Sequence, residues 1–310
     1  MVGFSRREFL RLGLQFSALL GFGASGAPRM AEGLEALSQG PPKILWLQGQ
    51  SCSGCSISML NGVDPDPDRL LTRYIHLLYN NTLSTAAGRD AMDIVNETLA
   101  QNDFYLVVEG SLPLGMPSAC KMGGEYITTL VEKAAKTGKA VVAVGSCAAF
   151  GGIPSAEGNP TGAVSVPDYL TAKGIHVPML RLPGCPSHSD WIIGTLLHLE
   201  SAGMPKTDSL QRPAPFYAHI MHDQCPRFAD YEREHFAQSF SDKGCFFKLG
   251  CLGPKTHADC ALRLWNAGTN MCINAGAPCI GCASPIFAKE KQFPFYTIEH
   301  AKNQPIETNE

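Results

Sequence analysis

The chain has 310 residues, is 45% hydrophobic and carries a formal charge of −3. That length is enough for two domains with cores of their own. A charged fraction of 17% excludes a disordered chain or a solvated coil, and the slightly acidic balance excludes the basic footprint of a nucleic-acid binder.

Ser5-Arg6-Arg7-Glu8-Phe9-Leu10 is a twin-arginine element. The run behind it, Leu12 to Ala24, is interrupted by Gln15 and several glycines. It is too short and too polar for a permanent bilayer span. Residues 1–36 therefore read as a twin-arginine signal peptide, cleaved after Ala27 or near Ala36. Such a leader predicts export of a folded protein to the periplasm. No other segment reads as membrane-spanning and Lys302 to Glu310 is polar, so the expectation is no transmembrane anchor of the chain's own.

From Lys43 onward, apolar runs alternate with helical spacing. Lys43 to Gly49 reads as a buried parallel strand. Ser51-Cys52-Ser53-Gly54-Cys55 follows, and Ser56 to Asn61 reads as a helix start. Tyr74 to Tyr79 reads as a strand, Met92 to Asn102 as a helix, and Phe104 to Val108 as a strand ending at Glu109-Gly110. Glu125 to Lys136 reads as a helix closed by Gly138. Ala140 to Val144 predicts a strand ending in Gly145-Ser146-Cys147, and Val177 to Leu182 one ending in Pro183-Gly184-Cys185-Pro186. Ser189 to Glu200 predicts a helix stopped near Gly203 and Pro205. This alternation predicts an α/β domain over residues 41–212, a flavodoxin-like doubly wound parallel sheet.

Cys52, Cys55, Cys147 and Cys185 then fall just past the carboxyl ends of predicted strands. Open α/β sheets place ligands at that edge, so four thiolates distant in sequence would converge. Gly54, Gly145, Gly151, Gly152 and Gly184 beside them would let backbone approach a bulky cluster and offer amides to its sulfides. The bland alternative for Cys147 and Cys185 is a pair of buried apolar thiols. Cys120, between the loop Pro113 to Ala119 and a helix, reads as a structural thiol.

Residues 213–310 form the second predicted domain. His222 to Cys282 holds seven of the chain's 12 cysteines and an HxxC pair, His222 with Cys225. Cys245, Cys251, Cys260, Cys272 and a closing CIGC, Cys279 to Cys282, complete the set. Two tetradentate metal sites would use all eight donors. Disulfides suit small secreted scaffolds, and structural zinc favours compact paired knuckles. Iron–sulfur clusters accept tetrads scattered in sequence, which makes a row of redox centres the leading reading.

The motifs in order resemble a known family. They are Gln48 to Asn61 (QGxxCxGCSxSxLN), Glu109 to Pro113 (EGSLP), Gly145 to Pro154 (GSCAAFGGIP) and Leu182 to Thr195 (LPGCPSHSDWIIGT). His222 to Arg227, Lys243 to Pro254, Ala258 to Cys260 and Pro278 to Cys282 continue the series. Together they resemble the small subunit of periplasmic nickel–iron hydrogenases, from about Ile44 to Ile286 with no missing block. The resemblance implies a proximal 4Fe-4S cluster on Cys52, Cys55, Cys147 and Cys185, and a distal one on His222, Cys225, Cys245 and Cys251. It implies a medial cluster on Cys260, Cys279 and Cys282.

The fourth medial position separates branches of the family. Many members carry a proline seven residues before the last CxxC and a 3Fe-4S cluster; here that residue is Cys272. A thiolate there implies a 4Fe-4S medial cluster and the nickel–iron–selenium branch; without Cys272 as a ligand the medial cluster would be 3Fe-4S. Gln48-Gly49-Gln50, where other members carry an acidic residue before the first cysteine, points to the same branch. Oxygen-tolerant members add two cysteines around the proximal cluster; the matching positions here are Gly54 and Gly152.

No DPCxxCxxH-like nickel site exists in the sequence, so the resemblance places dihydrogen chemistry on a large subunit, leaving no catalytic residue here. The expected partners are that large subunit, in a heterodimer, and a multihaem cytochrome c. His222 in place of a thiolate removes a negative charge, which should raise the distal potential. An imidazole can lie at the surface, making His222 the candidate electron exit. The remaining histidines and Trp191 and Trp265 read as packing residues. Three rivals remain. A quinone-oxidoreductase subunit on the same scaffold would lack the HxxC and CIGC region. A zinc-stabilised binding protein would be colourless. A cytoplasmic hydrogen sensor would lack the leader.

Overall fold

The computed structural model describes residues 40–289; the signal peptide expected at residues 1–36 and His300 lie outside the described residues. The chain divides into two compact units between Phe216 and Tyr217.

The first unit is built on five strands: β1 (Lys43–Gln48), β2 (His76–Asn80), β3 (Tyr105–Glu109), β4 (Val141–Val144) and β5 (Met179–Leu182). Their order is β2-β1-β3-β4-β5, and every pairing is parallel. This is the flavodoxin order of a doubly wound α/β fold. Every residue of β3 and β4 is buried, because parallel strands are covered on both faces and so read as unbroken apolar runs.

The longer helices that flank the sheet or follow its strands are α1 (Gly54–Met59), α2 (Gly88–Gln101), α3 (Ile127–Thr137), α4 (Gly145–Phe150), α5 (Val166–Ala172) and α6 (Ser189–Ala202). On one face Leu45 and Leu47 of β1 join Val95 of α2, Leu130 of α3 and Leu170 of α5 in a single core. Helix α2 buries Ala91, Val95 and Thr98, one stripe at steps of four and three. Helix α6 buries every residue from Trp191 to Leu199 and packs against α1. A helix apolar on all sides belongs in an interior.

Element ends differ from the sequence expectation in places. The run from Tyr74 is not all strand: Leu70–Tyr74 closes as a π-helical turn and β2 begins at His76. Strand β5 begins at Met179, not Val177, because Pro178 has no amide to give the ladder. Helix α3 begins at Ile127, since Glu125 and Tyr126 pair back onto Met122 and Lys121. Gly138 does close α3, but with φ −75 rather than a left-handed turn. Its smallness is what matters: a Cβ would lie 3.1 Å from the Ala134 carbonyl oxygen and from the Phe104 ring.

The second unit has little regular structure. Short turns at His222–Gln224, Phe246–Leu249 and Gly253–Lys255 alternate with one-turn helices at Phe228–Glu232 and Cys260–Arg263. Its core contains Met221, Ala237, Phe246, Met271 and Ile273, and also Cys225, Cys251 and Cys279. A unit this small that fills its core with thiols depends on more than apolar burial for its stability. Among the described residues no helix is long and apolar enough to cross a membrane.

Candidate functional site

In the first unit four cysteines gather beyond the carboxyl ends of the strands. Cys52 and Cys55 follow β1, with Cys55 on α1. Cys147 stands on α4, which starts directly after β4, and Cys185 follows β5. At the centre of that edge Gln48 and Glu109 lie in register at the ends of β1 and β3. There the strand order reverses, and doubly wound sheets hold their ligands at that point.

The thiols act on one another. Cys55 is raised by burial first, then by the charge of Glu109, with Cys147 and Cys185 adding. Burial pushes Cys147 up to about 11; an amide hydrogen bond from Ile153 opposes this, and Cys52 and Glu109 add to it. Cys185 is pushed up to about 11 by burial, then by Cys147 and Cys52. Ser53, between the first two cysteines, holds a left-handed φ of 63, a conformation that costs a non-glycine residue about 1–3 kcal/mol and collects at functional sites.

Glycine makes the approach possible. A Cβ on Gly145, at φ +82, would stand 2.5 Å from the Cys55 sulfur, and one on Gly152, at φ +53, 2.9 Å from the Cys147 sulfur. The Ser187 amide donates to the Cys55 sulfur at 3.5 Å.

The second unit holds two further groups. Cys251 is pushed up to about 11 by burial, with amides of Gly253 and Cys279 opposing and the charges of Cys245 and Cys225 adding. Gly253 sits among these donors: its Cβ would be 3.5 Å from the Cys251 sulfur and 3.8 Å from the His222 Cβ. The Arg227 amide donates to the Cys225 sulfur at 3.4 Å. In the other group Cys260 is raised by burial, then by Cys282 and Cys272. Cys279 is raised by burial, then by Cys251 and by Cys282 and Cys260, so the two groups adjoin through Cys251 and Cys279. The Gly281 amide donates to the Cys279 sulfur at 3.4 Å.

His222 differs from the expectation in one respect: its ring is not at the surface. The residue is 9% exposed, with the Tyr231 ring edge-on at 4.5 Å and Phe228 at 5.2 Å. Burial holds the imidazole below its ordinary pKa, against the pull of Asp223, and its Nε2 is buried with no hydrogen-bond partner. A neutral ring with a nitrogen to spare is the form that ligates metal. Its aromatic surroundings come from Phe228 and Tyr231, which no sequence motif singles out.

None of the twelve cysteines is in a disulfide. Among the described residues no three His, Cys, Asp or Glu side chains close on one point as ligands of a single ion would. A cluster takes one protein ligand per iron, so neighbouring donors drawn from scattered positions suit it.

The periplasmic [NiFeSe] hydrogenase small subunit of Desulfomicrobium baculatum is 37% identical over 95% of this chain and 99% of its own length. This chain belongs to the small-subunit family of nickel–iron and nickel–iron–selenium hydrogenases. The periplasmic [NiFe] hydrogenase small subunit of Solidesulfovibrio fructosivorans is 36% identical, over 95% of this chain and 93% of its own. The reduced, active Ni-Fe-Se hydrogenase structure from Desulfomicrobium baculatum matches with a TM-score of 0.80 over 83% of this chain and 99% of that one. The recombinant [NiFeSe] hydrogenase of Desulfovibrio vulgaris Hildenborough matches at 0.78 with 38% identity, over 84% of this chain and 99% of that one.

Two family models divide the hydrogenase chain. Residues 52–199 match the NADH ubiquinone oxidoreductase 20 Kd subunit, the scaffold of the quinone-oxidoreductase rival. Residues 217–296 match the C-terminal family of the NiFe/NiFeSe hydrogenase small subunit, which decides against that rival. Cys120 packs, half-buried, against the first unit's core, and Trp191 is 1% exposed inside α6. The sequence assigns His188 no role; its Nδ1 accepts the Asp190 amide at 3.1 Å and caps α6.

The glycine contacts give a testable outcome. Gly145→Ala drives a methyl into the Cys55 sulfur, so the purified protein should lose about four irons. Gly158→Ala carries the same positive-φ strain, at φ +82, but meets nothing within 4 Å, and should keep its iron. Iron analysis of the two variants side by side checks this; equal iron would show that the cradle is not needed.

Proposed function

We propose that this small subunit relays electrons, through three iron–sulfur clusters, between the dihydrogen site of a large subunit and an external carrier. Cys52, Cys55, Cys147 and Cys185 hold the proximal 4Fe-4S cluster. His222, Cys225, Cys245 and Cys251 hold the distal one. Cys260, Cys272, Cys279 and Cys282 hold a medial 4Fe-4S cluster. The partner is a hydrogenase large subunit, with which the chain forms a heterodimer exported to the periplasm by the twin-arginine leader. The acceptor is a multihaem cytochrome c.

The observation that carries the reading is the gathering of Cys52, Cys55, Cys147 and Cys185 past the carboxyl ends of β1, β4 and β5 in one parallel sheet. Cys272 acts on Cys260, which supports four medial thiolates rather than three. A bound cluster supplies reversible one-electron chemistry. The chain's residues do the rest. Burial shields Cys55, Cys225, Cys245, Cys251 and Cys279 from water, amides of Ser187, Arg227 and Gly281 donate to three of these sulfurs, and glycines admit the bulk. The link between Cys251 and Cys279 supplies a short path between neighbouring centres.

The test uses the co-produced heterodimer under hydrogen. Visible bleaching of the clusters, followed by reduction of an added multihaem cytochrome c, is the expected result. Clusters that stay oxidised under hydrogen, while the large subunit alone reduces a small artificial dye, would contradict the relay.

A further inference from the structure

The end of β3 buries a carboxylate that the ligand set does not account for. Glu109 is 2% exposed, and the groups that contact its oxygens are donors. Its Oε1 accepts the Cys55 amide at 2.9 Å. Its Oε2 accepts the Ser56 hydroxyl at 2.6 Å, the Trp46 indole at 3.1 Å, and the Ser56 amide and Gln48 side-chain nitrogen at 3.2 Å each. Five donors converging on two oxygens is the pattern of an ionised carboxylate.

The donors are themselves fixed. The Asn80 side-chain Oδ1 accepts the amides of Thr82 and Leu83 at 2.8 and 3.0 Å. That turns the Asn80 nitrogen onto the Ser56 hydroxyl oxygen at 3.2 Å and leaves the hydroxyl proton for Glu109. The Gln48 oxygen takes the Ser53 hydroxyl at 3.4 Å, which turns its nitrogen toward the same carboxylate. The network devotes Asn80, at 0% exposure, to orienting one anion, a costly arrangement unless the anion has work.

We propose that Glu109 is a positioning residue for the proximal cluster, pinning the Cys55 arm through two backbone amides and holding the cluster's potential down with a fixed buried charge. This rests on the ligand reading given above. Glu109 contacts a ligand residue directly, its Oε1 accepting the Cys55 amide, and it ends β3, the strand between those that lead to Cys55 and Cys147. Reducing a cluster adds a negative charge, and a nearby anion in a poorly solvated site disfavours that addition.

The test is a redox titration of the hydrogenase heterodimer, followed by electron paramagnetic resonance, in wild type, Glu109→Gln, Glu109→Asp and Ser56→Ala. Glu109→Gln should shift the proximal midpoint upward and leave the medial and distal midpoints in place. Glu109→Asp keeps the charge and should return the midpoint toward wild type. Ser56→Ala removes a donor that neutralises the anion and should shift the midpoint down. A loaded Glu109→Gln variant with an unmoved midpoint overturns the proposal, as does Glu109→Asp shifting as far as Glu109→Gln. If Glu109→Gln fails to load its cluster, Ser56→Ala decides: a downward shift supports the proposal and an unmoved midpoint overturns it. A wild-type complex with no proximal signal instead overturns the ligand reading, and this inference with it.

Discussion

Cys147→Ala should leave the heterodimer about four irons short and cut hydrogen-driven reduction of the external carrier by more than about 100-fold, the upper end of what losing a mere outer contact to a metal ligand costs. The variant isolates the ligand from the fold. Cys147 lies on α4, alanine is the best helix former, and the new side chain is smaller than the old. Helix α4 should therefore persist while one iron loses its thiolate. The remaining sulfurs follow β1 (Cys52, Cys55) and β5 (Cys185), not β4, so none occupies the place Cys147 leaves. Iron analysis and stopped-flow reduction of the carrier check both halves. Full iron with unchanged transfer would remove Cys147 from the site.

Cys272→Ala should convert the medial centre rather than destroy it. The oxidised complex should then show a 3Fe-4S resonance absent from wild type, with about one iron fewer per small subunit. The reason is local. Cys260, Cys279 and Cys282 act on one another and remain to hold three irons. Cys272 is an exposed residue, so its loss leaves no cavity in the core. The variant should fold, export and bind its partner as wild type does. A medial signal identical to wild type would make Cys272 a bystander.

The framework of the site was legible because parallel strands announce themselves. Ile44 to Leu47, Leu106 to Val108 and Val141 to Val144 are unbroken apolar runs, each buried on both faces. The runs of β1 and β4 end in a polar residue or glycine with a cysteine soon after, and that of β3 ends at Glu109. Spacing alone could not reveal what depends on the third dimension. Gly138 carries the usual sign of a left-handed cap but is needed for room beside Phe104. His222 reads as the candidate electron exit because an imidazole can lie at the surface. The rings that bury it, Phe228 and Tyr231, lie six and nine residues away and close over it only in the folded unit. Glu109 was visible as part of a motif, yet its five donors come from β1 and α1. No local pattern carries that information. The second unit was legible only through its donors, since its short turns have no period to read.

Counting metal in the purified, hydrogen-active heterodimer tests the central claim most directly. Beyond the large subunit's own metal site, the small subunit should hold about twelve irons with matching acid-labile sulfide, in three separately titrating clusters and with no zinc. A folded, partner-bound small subunit that contains zinc, or no metal at all, would contradict the account.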